Sequence, residues 1–142
     1  MQGLLLDGQV LHLCHEHTDK NRGSKLIADE QALVNIATNF GLKYPIKVYF
    51  CEDLEDSVGR HKSPTPEHPW HKILLLKKLD PCYANEVFWH EFGHCRQAEE
   101  TEDFNKVYVT HNLDVGYEAN RYEADSNKHS DQFRHITVIL PF

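Results

Sequence analysis

One pentapeptide, His90-Glu91-Phe92-Gly93-His94, limits what this chain can fold into more than any other stretch. Histidines four residues apart sit about 40° apart around an α-helix, so both rings leave one face, one turn apart. The segment needs a helix, and the sequence supplies a start signal. Asp80-Pro81 gives an N-cap followed by proline at the first helical position, which predicts a helix from about Cys82 to Glu100. Phe88, Phe92 and Cys95 share another face that can anchor this helix in a core. Gly93 costs about 1 kcal/mol in a helix interior, a tolerable cost where a neighbour must approach closely. With 11 histidines and 12 glutamates in 142 residues, the pattern arises by chance with a probability of roughly 0.07, so its context has to decide.

Two ring nitrogens so placed can bind one Zn²⁺, and Glu91 lies beside them to take a proton from water. A hydrolytic zinc site has a third protein ligand and one open position. A glycine three residues and a histidine six residues after His94 would supply that ligand from an extended motif, but those places hold Gln97 and Glu100. His111, Glu118 and Glu123 remain as candidates. Glu118 and Glu123 both fall in a second helix expected from about Asp114 to Gln132. Five residues apart, they lie about 140° apart on it and cannot both face one metal.

Elsewhere, Asp7-Gly8 between apolar runs predicts a hairpin over residues 3–17 that ends in His12, Cys14, His15, Glu16 and His17. Helical spacing of Leu26, Ile27, Leu33, Val34, Ala37 and Phe40 predicts a helix over 24–40 that stops at Gly41. Strands are expected at Ile46–Phe50, Lys72–Leu79 and Ile136–Leu140, with a long loop over 52–71. The whole, 1–142, reads as one α+β domain. A formal charge of −7 argues against nucleic acid as a partner. No run approaches the length of a membrane helix, and Met1–Leu6 lacks the features of a signal peptide. The four cysteines are therefore expected as reduced thiols in a cytoplasmic setting.

Taken with the order of elements over residues 70–128, the motif resembles gluzincin-type zinc metallopeptidases, especially the ImmA/IrrE-like and phage-encoded minimal domains. The resemblance implies a minimal zincin-like domain. In such a domain a small, mostly antiparallel sheet packs on an N-terminal helix, the motif helix and a ligand-bearing helix. It implies Zn²⁺ held by His90, His94 and a glutamate followed by a small residue at +3 and a polar residue at +4. Glu123, with Ser126 and Asn127 at those places, fits better than Glu118, with Arg121 and Tyr122. The near-repeat of Tyr117-Glu118-Ala119-Asn120 in Tyr122-Glu123-Ala124-Asp125 leaves Glu118 and His111 in play.

It also implies peptide-bond hydrolysis with Glu91 as general base. Tyr108, Tyr117, Tyr122 and His111 are candidate oxyanion donors. A peptide or protein substrate would add in extended form to an edge strand at Lys72–Leu79, and an activating or targeting partner is possible. Two other readings stay open. One is a zinc amidohydrolase of the deformylase kind, although the Gly-Cys-x-Ser stretch of those enzymes is missing. The other is a non-catalytic binding protein with a residual metal site.

Overall fold

The computed structural model describes residues 25–141; the expected hairpin over 3–17, with Cys14, lies outside them. In chain order the elements are β1 (Leu26–Ala28), α1 (Glu30–Asn39), β2 (Ile46–Cys51), β3 (Gly59–Lys62), β4 (His71–Leu76), α2 (Pro81–Glu100), α3 (Phe104–Val115), α4 (Arg121–Phe133) and β5 (Ile139–Pro141). The class is α+β. The sheet is not the single, mostly antiparallel one expected. Strands β1 and β5 pair antiparallel, and a separate three-stranded sheet has the order β2-β4-β3. Within it β2 runs parallel to β4, and β3 antiparallel to it.

Helix α2 is the axis of the domain, and capping explains where it begins. The Asp80 carboxylate accepts from the backbone N–H groups of Cys82 and Tyr83, at 2.9 and 3.2 Å, and Pro81 occupies the first turn. One face of α2 buries Ala84, Phe88, Trp89, Phe92 and Cys95 against Ile73 and Leu75 of β4, Ile36 of α1 and Ile139 of β5. Asn85 makes four bonds, three of which tie α2 to Val138 and Ile139 at the final strand. Its Nδ2 donates to the carbonyls of Pro81 and Ile139, and its Oδ1 accepts from the amides of Val138 and Ile139. An alanine there would strand buried backbone groups.

Four expectations need correction. The helix expected over 24–40 starts at Glu30. Asp29 caps it by accepting from the Ala32 amide, and Leu26–Ala28 instead pairs with β5. The loop expected over 52–71 contains β3, whose four residues alternate in burial. The strand expected at Lys72–Leu79 spans His71–Leu76 and is central, not an edge; among the described residues the edge beside α2 belongs to β3. The helix expected from Asp114 to Gln132 begins only at Arg121, as α4, and its first two residues instead close a helix that was not expected, α3. Gly116, at φ 85°, ends α3, and the Asn120 side chain starts α4 by accepting from the Tyr122 amide.

Among the described residues, no helix is long and apolar enough to cross a membrane, and Cys51 and Cys95 are free thiols.

His129 of α4 lies buried between Trp89, Phe92, Phe133 and Phe40, and its Nε2 faces the Arg96 guanidinium at 3.2 Å. Burial, and then the Arg96 charge, push its pKa down from 6.5 to about 4. The folded state thus binds fewer protons here than the unfolded state. The contribution is complete above pH 6.5 and is lost as pH falls towards 4. A gap of that size corresponds to roughly 3 kcal/mol. Urea midpoints at pH 7.5 and pH 4.5 should therefore fall less in His129→Phe than in the parent. Equal losses would show that His129 is not a source of acid sensitivity.

Candidate metal centre

His90 and His94 leave α2 on the face opposite its aromatic core, towards α4. The two helices come close because neither has bulk at the crossing. A Cβ added at Gly93 would lie 2.7 Å from Ser126 Oγ and 3.1 Å from Ser126 Cα. The glycine required by that approach is the one the sequence flagged as costly. The approach carries Glu123, one turn before Ser126, to the two imidazoles. His90 Nε2 lies 2.9 Å from Glu123 Oε1, and His94 Nε2 lies 3.2 Å from Glu123 Oε2.

The opposite ring nitrogens are held by amide oxygens. His90 Nδ1 is 2.9 Å from Asn127 Oδ1, and His94 Nδ1 is 2.8 Å from Gln97 Oε1. Gln97 is oriented by its own Nε2, which donates to the Tyr122 carbonyl, the Asp125 carboxylate and Ser126 Oγ. An amide oxygen only accepts, so each Nδ1 carries the hydrogen. In neutral rings both Nε2 lone pairs then aim at a carboxylate. Three electron-rich donors meeting at about 3 Å need a cation among them, a proton or a metal ion. The donor set, two imidazoles and one carboxylate, suits zinc.

Electrostatics follow from that convergence. Burial alone would raise the Glu123 carboxyl, but bonds from His90, His94 and Tyr108 and the His94 charge hold it well below the usual carboxylate range. For His94, burial works to lower the pKa, yet its bond to Glu123 and the charges of Glu91 and Glu123 raise it. Glu91 is only 6% exposed. Desolvation raises its pKa, opposed by the charges of His94 and His90. The Tyr108 and Tyr117 hydroxyls both donate to Glu123. Both phenols are raised, by burial first and by Glu123 next, Tyr117 to about 12, so both keep their protons at neutral pH.

These groups face a cleft. A cavity of about 330 Å³ is bounded by His90, Glu91, His94 and Glu123 on the helices and by Gly59, Arg60 and His61 of β3. A second, of about 740 Å³, continues along Asp56–Gly59 past Glu91, His90 and Tyr117. Strand β3 can lie this close because Gly59 lacks a side chain. A Cβ there would lie 2.4 Å from Val87 Cγ1 and 3.3 Å from Glu91 Oε2.

The structure brings His90, Glu91, His94 and Glu123 together and leaves the other two ligand candidates outside. Glu118 is exposed in the turn between α3 and α4, before the helix expected to carry it. His111 accepts from the Arg121 amide at 3.3 Å and stacks edge-on against Tyr122. Of the proposed oxyanion donors, Tyr108 and Tyr117 line the cleft, while Tyr122 packs on Phe104 and bonds to Arg121. Sequence reasoning missed His61, Gly59 and Gln97. No local sequence pattern marked the first two, and helical spacing of Gln97 from His94 (three residues) was the available signal for the third.

No family model, curated protein or solved structure matches the chain.

Two predictions test the local geometry. Gly93→Ala should destabilise by about 1–3 kcal/mol, because its Cβ meets the Ser126 backbone. A higher thermal midpoint, the usual result of Gly→Ala in a helix, would show that the crossing is loose. Asn127→Ala should weaken Zn²⁺ affinity about 10–100-fold in a competitive chelator titration while leaving the fold intact. Unchanged affinity would mean that His90 needs no such anchor.

Proposed function

We propose that the chain is a minimal zincin-like, zinc-dependent metallopeptidase with Glu91 as general base. The observation that carries this reading is the convergence of His90 Nε2, His94 Nε2 and the Glu123 carboxylate in a cleft whose wall also presents Glu91. A purely structural metal does not need a buried carboxylate beside it, and this one is placed where water can enter.

His90, His94 and Glu123 would hold the ion. Bound there, zinc supplies the Lewis acidity that acidifies water and polarises a carbonyl. The chain's own residues do the rest. Glu91, with its pKa raised by burial, is closer to the operating pH than an exposed glutamate and so exchanges protons more readily in both directions. It takes one from the attacking water and delivers one to the leaving amine. Tyr108 and Tyr117, still protonated at neutral pH, are positioned to donate to the oxygen on which negative charge develops. Gln97 and Asn127 keep both imidazoles in the tautomer that exposes Nε2.

The substrate is an extended peptide. Among the described residues, strand β3 has a partner on one side only, β4, and its other edge borders the cleft. A peptide adding there gains main-chain hydrogen bonds and passes Glu91 at Gly59. The edge-strand role thus moves from the Lys72–Leu79 segment to Gly59–Lys62.

Replacing Glu91 by Gln should leave one zinc per site at His90, His94 and Glu123. It should slow cleavage of an unstructured protein such as casein by about 10²–10⁴-fold. Parent-like cleavage by Glu91→Gln would contradict the assignment of the base.

A further inference from the structure

Strand β3 also takes part in a second convergence of donors, of which only His61 reaches the cleft. His71 begins β4 and is fully buried, and His61 stands opposite Ile73 in the β3–β4 ladder. Position 73 is two residues after 71, so His61 and His71 emerge on the same face of the sheet, the one that packs on α2. From α2, Cys95 meets them. One ligand atom from each of His61, His71 and Cys95 lies within 4.8 Å of the other two. His61 Nε2 and His71 Nδ1 are 3.0 Å apart. Ligands around a tetrahedral zinc lie roughly 3–4 Å from one another, so small side-chain adjustments would close this set.

The far side of His71 is already arranged as a metal ligand requires. Its Nε2 lies 2.9 Å from Glu99 Oε2, and Glu99 is itself fixed by the backbone amides of Lys43 and Tyr44 at 2.7 and 3.1 Å. Although partial burial raises the Glu99 carboxyl, those bonds outweigh it and hold it ionised. The hydrogen on His71 therefore sits on Nε2, and Nδ1 offers its lone pair to the cluster. A carboxylate on the far nitrogen is the arrangement that orients a metal-ligating histidine. Burial keeps both imidazoles neutral, the form that binds a cation. Cys95 sits on the helix turn that holds Glu91 and His94, so an ion here would bind β3, β4 and α2 to one another directly behind the cleft wall.

We propose that His61, His71 and Cys95 form a second, thiolate-containing metal site for a tetrahedral, borderline-soft divalent ion such as Zn²⁺, with Glu99 positioning His71. Binding leaves His71 unchanged, moves the His61 proton from Nε2 to Nδ1, and releases the Cys95 thiol proton to solvent, one proton per ion. The nitrogen-and-sulfur donor set separates it from the nitrogen-and-oxygen set of His90, His94 and Glu123. Its role is to pin the short edge strand, and it stands or falls independently of the hydrolase reading.

Cobalt(II) titration of the full, metal-stripped chain tests this, because only a thiolate ligand gives an intense sulfur-to-cobalt charge-transfer band. The parent should take two equivalents and show that band. Cys95→Ser should take one and lose it, whereas Glu123→Ala should take one and keep it. If Cys95→Ser proves unfolded by circular dichroism, His61→Ala, on the partly exposed strand, serves in its place and should also lose the band. A parent that binds a single equivalent without the band overturns the proposal, as does a band that survives Cys95→Ser.

Discussion

The contact on which the rest of this structure depends is the approach of α2 to α4 at Gly93 and Ser126. A side chain larger than hydrogen at position 93 would meet the Ser126 backbone. Only with that contact closed does the Glu123 carboxylate reach both His90 and His94. A charge buried in this way is costly unless it is paired and hydrogen-bonded; two phenols donate to Glu123, and a cation shared with the two imidazoles completes the pairing. The same helix uses its other face to fill the core with Phe88, Trp89 and Phe92. One element therefore carries both the stability of the domain and the geometry of its site.

A second layer keeps that geometry single-valued. Imidazole has two possible tautomers, and a ring free to choose would present its lone pair in the right place only part of the time. The Asn127 and Gln97 amide oxygens remove the choice. Glu99 does the same for His71 in the cluster behind β3. Both candidate centres use one device: a fixed acceptor on the far nitrogen of His90, His94 and His71 that sets the near one.

Legibility from sequence divided along physical lines. The motif helix was readable because capping and periodicity are local: Asp80-Pro81 set its start, and the Phe88/Phe92 spacing set its buried face. Glu123 was singled out by the small Ser126 and polar Asn127 beyond it, and those residues do meet Gly93 and His90. The break between α3 and α4 was missed although Gly116 and Asn120 mark it. The helix expected from Asp114 ran straight through them, and α3 itself was not expected, because only Phe104 of it is buried and no apolar stripe marks a face. Strand β3 was missed for a different reason. Four residues, two of them charged, carry too little pattern, and Gly59–Lys62 becomes a strand by pairing with β4. His61 went with it, since nothing local ties it to His71 or Cys95. Beyond the α+β class the sheet arrangement was not legible, since the split into two sheets and the parallel β2–β4 pairing join residues far apart in sequence.

The central claim is that one ion sits among His90, His94 and Glu123, and anomalous diffraction at the zinc absorption edge tests it most directly. Crystals of protein loaded with zinc should show an anomalous peak within coordinating distance, about 2.0–2.2 Å, of His90 Nε2, His94 Nε2 and a Glu123 carboxylate oxygen. Zinc-loaded crystals in which this position is empty, with His90 and His94 still bonded directly to Glu123, would contradict the account.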